Sequence, residues 1–148
     1  MKKIIIAIIA VVISFNAFGI VIDTNLMNAI CQVESKGKAN AKGDYSRKTK
    51  EYRAIGAFQL WKCYVNDVNN ILKNKGSKKR YTYNDRYDYR KSYEMVVIYL
   101  NHYGKVYEKK TGKKATYEVL SRIHNGGPNG YKKEATIKYW NKVNAKMK

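Results

Sequence analysis

Two carboxylates stand ten positions apart in a stretch rich in lysine and glycine, CQVESKGKANAKGD (residues 31–44). The chain of 148 residues has 30 lysines and arginines but only 11 aspartates and glutamates, so Glu34 and Asp44 belong to a scarce residue type. Cleaving a glycosidic bond needs one carboxylic acid to protonate the leaving oxygen, and a second carboxylate to stabilise the oxocarbenium-like centre, attack it or activate water. Glu34 and Asp44 are therefore candidates for these two roles. On spacing alone, a solvated glutamate and an aspartate in a Gly-Asp turn is the commoner explanation.

The lysines of this stretch limit where the acid can work. A general acid that acts near neutral pH needs a raised pKa, whereas nearby positive charges lower the pKa of a carboxyl group. We therefore predict that Glu34 is largely buried against Ile55, Phe58 and Trp61, while the neighbouring lysines point to solvent. Asp44 is expected to remain ionised in a polar setting.

Hydrophobic periodicity predicts a mostly helical α+β domain with a small hairpin insertion after the first helix. Helical spacing of apolar residues favours five helices, over residues 24–36, 61–75, 92–111, 116–124 and 137–147. Residues 38–57 are predicted to form a turn-rich segment or short hairpin. Residues 76–90 are predicted to form a tyrosine-rich loop, whose rings either pack on the body of the domain or stack on sugar rings or bases. Glu34 then lies in the last turn of the first helix and Asp44 in the insertion, so that one carboxylate faces the other across a cleft.

The N-terminus has the pattern of an exported protein. Lys2 and Lys3 precede an apolar run over residues 4–15, and Ala17-Phe18-Gly19 has small residues at the spacing that signal peptidase accepts. The run is shorter than the ~20 residues that a membrane-crossing helix needs. We predict a signal peptide over residues 1–19, with an uncleaved membrane anchor as the alternative, and a secreted or periplasmic catalytic domain over residues 20–148.

The formal charge of +19 favours polyanionic partners and opposes self-association, so a monomer is expected. Nucleic acid, anionic membranes and bacterial wall polymers all fit this charge, which alone selects none of them. Cys31 and Cys63 form either one disulfide or two buried thiols. No cysteine or histidine spacing indicates a metal site, and no cofactor is expected.

Three later segments strengthen the interpretation as a glycosidase. They are AIGAFQL (54–60), IHNGGPNG (123–130) and TIKYW (136–140). In this order behind CQVES, they resemble the invertebrate-type (destabilase-like) lysozymes, and in particular a cysteine-poor bacterial branch of the wider lysozyme and lytic transglycosylase superfamily. The likeness spans about residues 28–143. It implies a lysozyme-like fold and cleavage of the β-1,4 bonds of peptidoglycan glycan strands on an anionic cell-wall surface.

The resemblance also implies a role for each matching residue. Glu34 is similar to the family's catalytic acid, and Asp44 to its second carboxylate. Gln59 matches a residue at the cleft floor. Asn125 and Gly126 belong to a glycine-rich turn that faces the sugar, where the lack of a Cβ lets backbone amides approach closely.

The sequence departs from the family pattern at several points. The segment between Asp44 and Gly56 is longer than usual, so Glu51 is an alternative second carboxylate. Some animal relatives are also credited with isopeptide cleavage by a Ser and His pair; His124 has no evident serine partner, so we predict a structural role for it. Trp61 and Trp140 are expected to be core residues.

Two other activities remain open at this point. A lytic transglycosylase would act on the same substrate with the glycan's own hydroxyl in place of water. A non-enzymatic cationic protein would bind walls and kill by charge alone. Nucleic-acid binding is not expected, because an export signal and a Gly-Gly-Pro turn have no part in it.

Overall fold

The computed structural model describes Ile20 and residues 22–147 of the chain. The predicted signal segment, residues 1–19, lies outside the described residues. Along the chain, the elements are α1 (Thr24–Ser35), β1 (Lys42–Ser46), β2 (Glu51–Ile55), α2 (Lys62–Asn74), α3 (Tyr89–Thr111), α4 (Tyr117–Gly126) and α5 (Ile137–Asn144). The predicted α+β class, mostly helical with a hairpin after the first helix, is confirmed. Over the described residues, every helix is too short or too polar to cross a bilayer.

Helix α1 determines where the first carboxylate lies. Asp23 caps its start by accepting a 2.8 Å hydrogen bond from the Leu26 amide, and Lys36 ends it in a left-handed conformation with φ of 56°. Met27 and Ile30 are fully buried on its inner face. Glu34 is four residues after Ile30, so it continues the same inward stripe at the end of the helix.

The hairpin β1–β2 positions the second carboxylate, Asp44. Its antiparallel register pairs Gly43 with Ala54 and Tyr45 with Tyr52, which puts Asp44 opposite Arg53. The rings of Tyr45 and Tyr52 meet edge to face with centroids 5.0 Å apart. Such a cross-strand aromatic pair stabilises a two-stranded sheet that has little core of its own.

Arg86 fastens the hairpin to the helical body. Its guanidinium is buried and donates hydrogen bonds to the carbonyl oxygens of Tyr83 (2.7 Å), Arg53 (3.1 Å) and Leu60 (3.0 Å). Burial lowers the pKa of Arg86 from its ordinary value. Because three carbonyls share this cation, the hairpin is held by a polar clamp rather than by apolar packing alone.

Segment 76–90 contains more structure than the predicted loop. Residues Tyr83–Tyr87 form a 3₁₀ helix, opened by a reciprocal capping box between Thr82 and Asp85. Helix α3 begins at Tyr89 rather than at Ser92, because the Asp88 side chain caps it by accepting a 2.9 Å hydrogen bond from the Lys91 amide. Short polar caps, not apolar periodicity, therefore define this region.

The core lies between α1 and the four later helices. The largest side chains that are fully buried include Phe58, Leu26, Met95 and Leu120. Trp140 packs partly buried against this cluster. The prediction for Trp61 is wrong: it is 40% exposed. It stands at the N-cap of α2, with the Arg53 guanidinium 4.7 Å from its ring centroid.

The cysteines are not joined. Cys31 is buried in the core, whereas Cys63 is exposed at the start of α2, and both are free thiols. Burial raises the pKa of the Cys31 thiol, so it behaves as a small apolar residue. Stability in the described part of the chain therefore rests on the core and on clamps such as Arg86.

Candidate active site

One groove brings the predicted site residues together. It has a volume of about 550 Å³ and is lined by residues from the end of α1, the hairpin, α2, α3 and the turn after α4. All five residues proposed from the sequence line it: Glu34, Asp44, Gln59, Asn125 and Gly126. Glu51 does not. It pairs with Lys62 at 2.9 Å beside a separate, smaller groove, which removes the geometric basis for the alternative second carboxylate.

The Glu34 carboxyl is held from the C-terminal part of the chain. Its side chain is 17% exposed, and Oε1 accepts a 2.7 Å hydrogen bond from the Tyr139 hydroxyl. His124 Nε2 lies 3.5 Å from the same oxygen. The shielding therefore differs from the prediction, because Trp61 is exposed and the two polar contacts come from α4 and α5.

His124 is the residue that sequence reasoning undervalued. Its side chain is 3% exposed, and Nδ1 lies 3.4 Å from the Tyr64 hydroxyl, so the imidazole bridges Tyr64 and Glu34. The Tyr64 ring stacks on Tyr99 with centroids 3.9 Å apart. One sequence signal could have identified His124 as a site residue: it directly precedes Asn125 in the glycine-rich motif. A purely structural role at the end of a helix does not account for that position.

The two buried phenols of the site remain protonated. Burial raises the pKa of Tyr64 and of Tyr139 well above the ordinary tyrosine value. The nearby Glu34 charge acts in the same direction on both groups. Tyr139 is therefore a fixed hydrogen-bond donor to the carboxyl, rather than a group that exchanges protons with it.

Asp44 has a different environment. Its Oδ1 accepts a 2.7 Å hydrogen bond from Arg53 Nη2, and its side chain is 37% exposed. Its backbone is left-handed, with φ of 51°. A non-glycine residue in that region costs about 1 kcal/mol or more, and such conformations concentrate at functional sites. The carboxylate is thus solvated and ion-paired, as a polar setting requires.

Gln59 is fixed on the groove floor. It also has a left-handed backbone, with φ of 48°. Its amide nitrogen donates to the carbonyl oxygens of Gly56 at 2.9 Å and Ala41 at 3.4 Å, which sets the orientation of the amide group. Gly43 packs against its amide oxygen, and a Cβ at position 43 would overlap that atom.

The turn after α4 supplies the remaining predicted residues. Asn125 is exposed, and α4 ends where Gly127 takes a φ of 82°. At Gly126, a Cβ would overlap the Thr136 methyl group, and Lys133 Nζ donates a 2.6 Å hydrogen bond to the Gly126 carbonyl oxygen. The glycine therefore permits close packing inside the protein, a reason that the sequence interpretation did not include.

Asp67 is a third groove carboxylate that the sequence did not identify. It is half-buried on α2, one helical turn after Tyr64. Burial raises the pKa of Asp67, and the charge of His102 opposes that shift. The only sequence signal was a polar residue beside the apolar stripe of α2, which is too common to mark a site.

Within the described residues, no three acidic, histidine or cysteine side chains form a metal-binding group.

A helix-rich α+β domain with a hairpin wall, and with a shielded acid and an ion-paired carboxylate in one groove, defines the lysozyme-like class. The model of the Destabilase family matches residues 23–146, and the chain belongs to this family.

Individual relatives agree with this assignment. A lysozyme of Ostrea edulis is 31% identical over 117 residues, which cover 79% of this chain and 75% of that protein. A lysozyme of Meretrix lusoria is 46% identical over 44 residues, which cover 30% of this chain and 36% of that protein. One chain of the crystal structure of Aeromonas hydrophila PliI in complex with Meretrix lusoria lysozyme superposes with a TM-score of 0.65 at 26% identity, covering 87% of this chain and 93% of that chain. Together they support a lysozyme-type activity.

Proposed function

We propose that this chain is an exported muramidase that hydrolyses the β-1,4 glycosidic bonds of peptidoglycan. The proposal rests on the contacts of Glu34: Tyr139 and His124 both approach its carboxyl group in a groove that Asp44 also lines. A shielded acid and a solvated, ion-paired carboxylate are the two environments that acid and charge-stabilising roles require.

The proposed reaction assigns one step to each carboxyl group. Glu34 donates its proton to the glycosidic oxygen as the bond to the anomeric carbon breaks. Asp44 stabilises the positive charge that develops on the sugar ring. Water then adds to the anomeric carbon and gives a reducing end, and its proton restores Glu34. Gln59 and Asn125 would position the sugar through hydrogen bonds from the floor and rim of the groove.

The electrostatics of the chain suit this substrate. Peptidoglycan carries carboxylates on its stem peptides, and the chain has a formal charge of +19. Long-range attraction would therefore concentrate the enzyme on the anionic wall. The N-terminal lysines, apolar run and small residues support export to the periplasm or the medium. The high charge also favours a monomer.

The test is product analysis of digested peptidoglycan by mass spectrometry, with three variants beside the wild type. Glu34→Gln removes the proton donor with little change of shape and should abolish cleavage while binding to walls is retained. Asp44→Asn should reduce the rate by a factor on the order of a hundred or more. Glu51→Gln is the matched control, because it alters a hairpin carboxylate that lies outside the groove.

Each other result identifies a different activity. Anhydro-sugar ends in place of reducing ends would assign the groove to a lytic transglycosylase. Killing of bacteria by Glu34→Gln at the wild-type level would leave a non-enzymatic cationic protein. A loss in Glu51→Gln that exceeds the loss in Asp44→Asn would contradict the assignment of Asp44.

A further inference from the structure

The three carboxylates that line the groove are not equally provided with partners. Glu34 accepts a hydrogen bond from Tyr139, and Asp44 is paired with Arg53. In the described part of the chain, no hydrogen bond or ion pair joins Asp67 to a protein group. Surface carboxylates elsewhere, such as Glu51 and Glu94, are paired with lysines. In a chain with 30 cationic side chains, a half-buried groove carboxylate without one of them is unexpected.

Asp67 lines the same groove as Glu34. It follows Tyr64 by three positions on α2, so both side chains project from the same face of the helix. The charges of Glu34 and Asp67 both raise the pKa of the Tyr64 phenol, so Tyr64 lies near both carboxyl groups in the groove. Because Asp67 projects into the groove from α2 and Glu34 from α1, Asp67 would contact a part of the substrate other than the scissile bond.

The surroundings of Asp67 leave its negative charge uncompensated. His102 is the titratable cation whose charge acts on it, but burial and the charge of Lys75 lower the pKa of His102, so the imidazole is largely neutral at pH 7. The phenols of Tyr99 and Tyr103 are also near enough to feel the Asp67 charge, and burial raises their pKa values. These rings remain neutral. A carboxylate thus faces the groove among neutral aromatic and imidazole groups.

We propose that Asp67 is a binding site for a primary ammonium group of the substrate, an inference that rests on the proposed action on peptidoglycan. A bound ammonium would supply the counter-charge that the protein itself omits, through a charge-assisted hydrogen bond to the Asp67 carboxylate. A neutral sugar hydroxyl would leave the charge uncompensated. Two sources carry this chemistry: an amino sugar that has lost its acetyl group, and the side-chain amine of a diamino acid in the stem peptide.

A carboxylate at this position would also reduce the repulsion between the cationic protein and ammonium groups of the wall. A chain of charge +19 attracts the carboxylates of the wall but repels ammonium groups on the same polymer. One uncompensated carboxylate inside the groove cancels that repulsion locally. It would also discriminate between substrates that differ only in acylation of an amine, because an acylated amine has no positive charge.

The experiment compares soluble substrates in free-amine and chemically acetylated forms. Fragments with stem peptides provide the diamino-acid source, and peptide-free glycans with and without de-N-acetylation provide the amino-sugar source. Wild type should show a lower KM for the free-amine form of at least one pair. Asp67→Asn should raise that KM roughly tenfold and remove the preference. Glu134→Gln is the control, because it alters an exposed carboxylate that does not line the groove.

Binding measurements separate this inference from the proposed function. Calorimetry with Glu34→Gln, alone and combined with Asp67→Asn, measures the affinity for the same free-amine fragments without turnover. A roughly tenfold weaker affinity of the double variant for these fragments supports the ammonium site even if the wild type produces no reducing ends. Equal effects of Asp67→Asn on free-amine and acetylated substrates, or no preference in the wild type, would overturn it. The pair that loses its preference identifies the source of the amine.

Discussion

Replacing Tyr139 with phenylalanine tests how the catalytic acid is held. The substitution removes one oxygen atom and with it the 2.7 Å hydrogen bond to Glu34 Oε1, while the ring keeps its place beside α1. Tyr139 is 9% exposed, so water has little access to replace the lost donor. The Glu34 carboxyl then keeps only its longer contact with His124, at 3.5 Å.

The expected size of the effect follows from the kind of bond. A hydrogen bond to a charged group contributes about 1.5–3 kcal/mol. If that energy fixes the acid in its reactive orientation, its loss lowers kcat by a factor between roughly ten and a hundred. KM should change little, because Tyr139 does not line the groove. The midpoint of thermal unfolding should fall by roughly 6–12 °C, as expected for a loss of about 1.5–3 kcal/mol in a domain of this size.

Tyr81→Phe provides a matched control. The Tyr81 hydroxyl donates a 2.8 Å hydrogen bond to Glu94 Oε2, and Tyr81 is 5% exposed, so the two variants lose a similar bond from a similarly buried ring. Both should lose comparable stability, measured by circular dichroism, but only Tyr139→Phe should lose hydrolysis of peptidoglycan. A Tyr139→Phe enzyme with kcat within twofold of the wild type would refute the reasoning that this contact orients the acid.

Three further substitutions test the supports of the site. Gly43→Ala should raise KM severalfold with little change in stability, because the new methyl group displaces the Gln59 amide from the groove floor; steady-state kinetics checks this. Arg86→Met should lower the free energy of unfolding by about 3 kcal/mol, since three hydrogen bonds to carbonyls are lost; one of them joins Arg53 of the hairpin and another joins Leu60, just after it. Denaturant titration measures this loss, and a loss below ~1 kcal/mol would contradict the clamp. The hydrogen bond from Lys91 lowers the pKa of Asp85 below its ordinary value of 3.8. Its stabilisation is therefore present above that value and lost as the pH falls through the folded-state pKa. Asp85→Asn should unfold at a lower temperature than the wild type at pH 7, and this difference should shrink progressively as the pH falls below 3.8.

Local patterns predicted the five main helices and the hairpin, and they placed Glu34 and Asp44 on elements that line one groove. The apolar stripe of α1 continues through Met27 and Ile30 to Glu34, so the position of the acid on the inner face follows from helical spacing alone. The hairpin follows from turn residues and alternation. The early start of α3 did not, because it depends on one cap by Asp88, which apolar periodicity does not detect.

The contacts within the site were harder to predict, because they join residues that are distant in sequence. Tyr139 is 105 positions from Glu34, and Tyr64 is 60 positions from His124. No local periodicity carries information on such pairs. Trp61 was assigned to the core by residue type, although its place at the N-cap of α2 leaves it exposed beside Arg53. Asp67 differs from an ordinary surface aspartate only through what surrounds it in three dimensions.

The two carboxylates of the groove depend on different parts of the fold. Glu34 is oriented by α4 and α5, so the acid acquires its environment only when the C-terminal helices dock against α1. Asp44 is positioned by the register of the hairpin and by its ion pair with Arg53. The hairpin is attached to the helical body by the hydrogen bond from Arg86 to the Arg53 carbonyl oxygen. Since the thiols are not joined, no disulfide within the described residues couples these two supports. The relative position of Glu34 and Asp44 is therefore fixed by two separate sets of non-covalent contacts, and substitutions in either set should impair the proposed catalysis without touching the substrate.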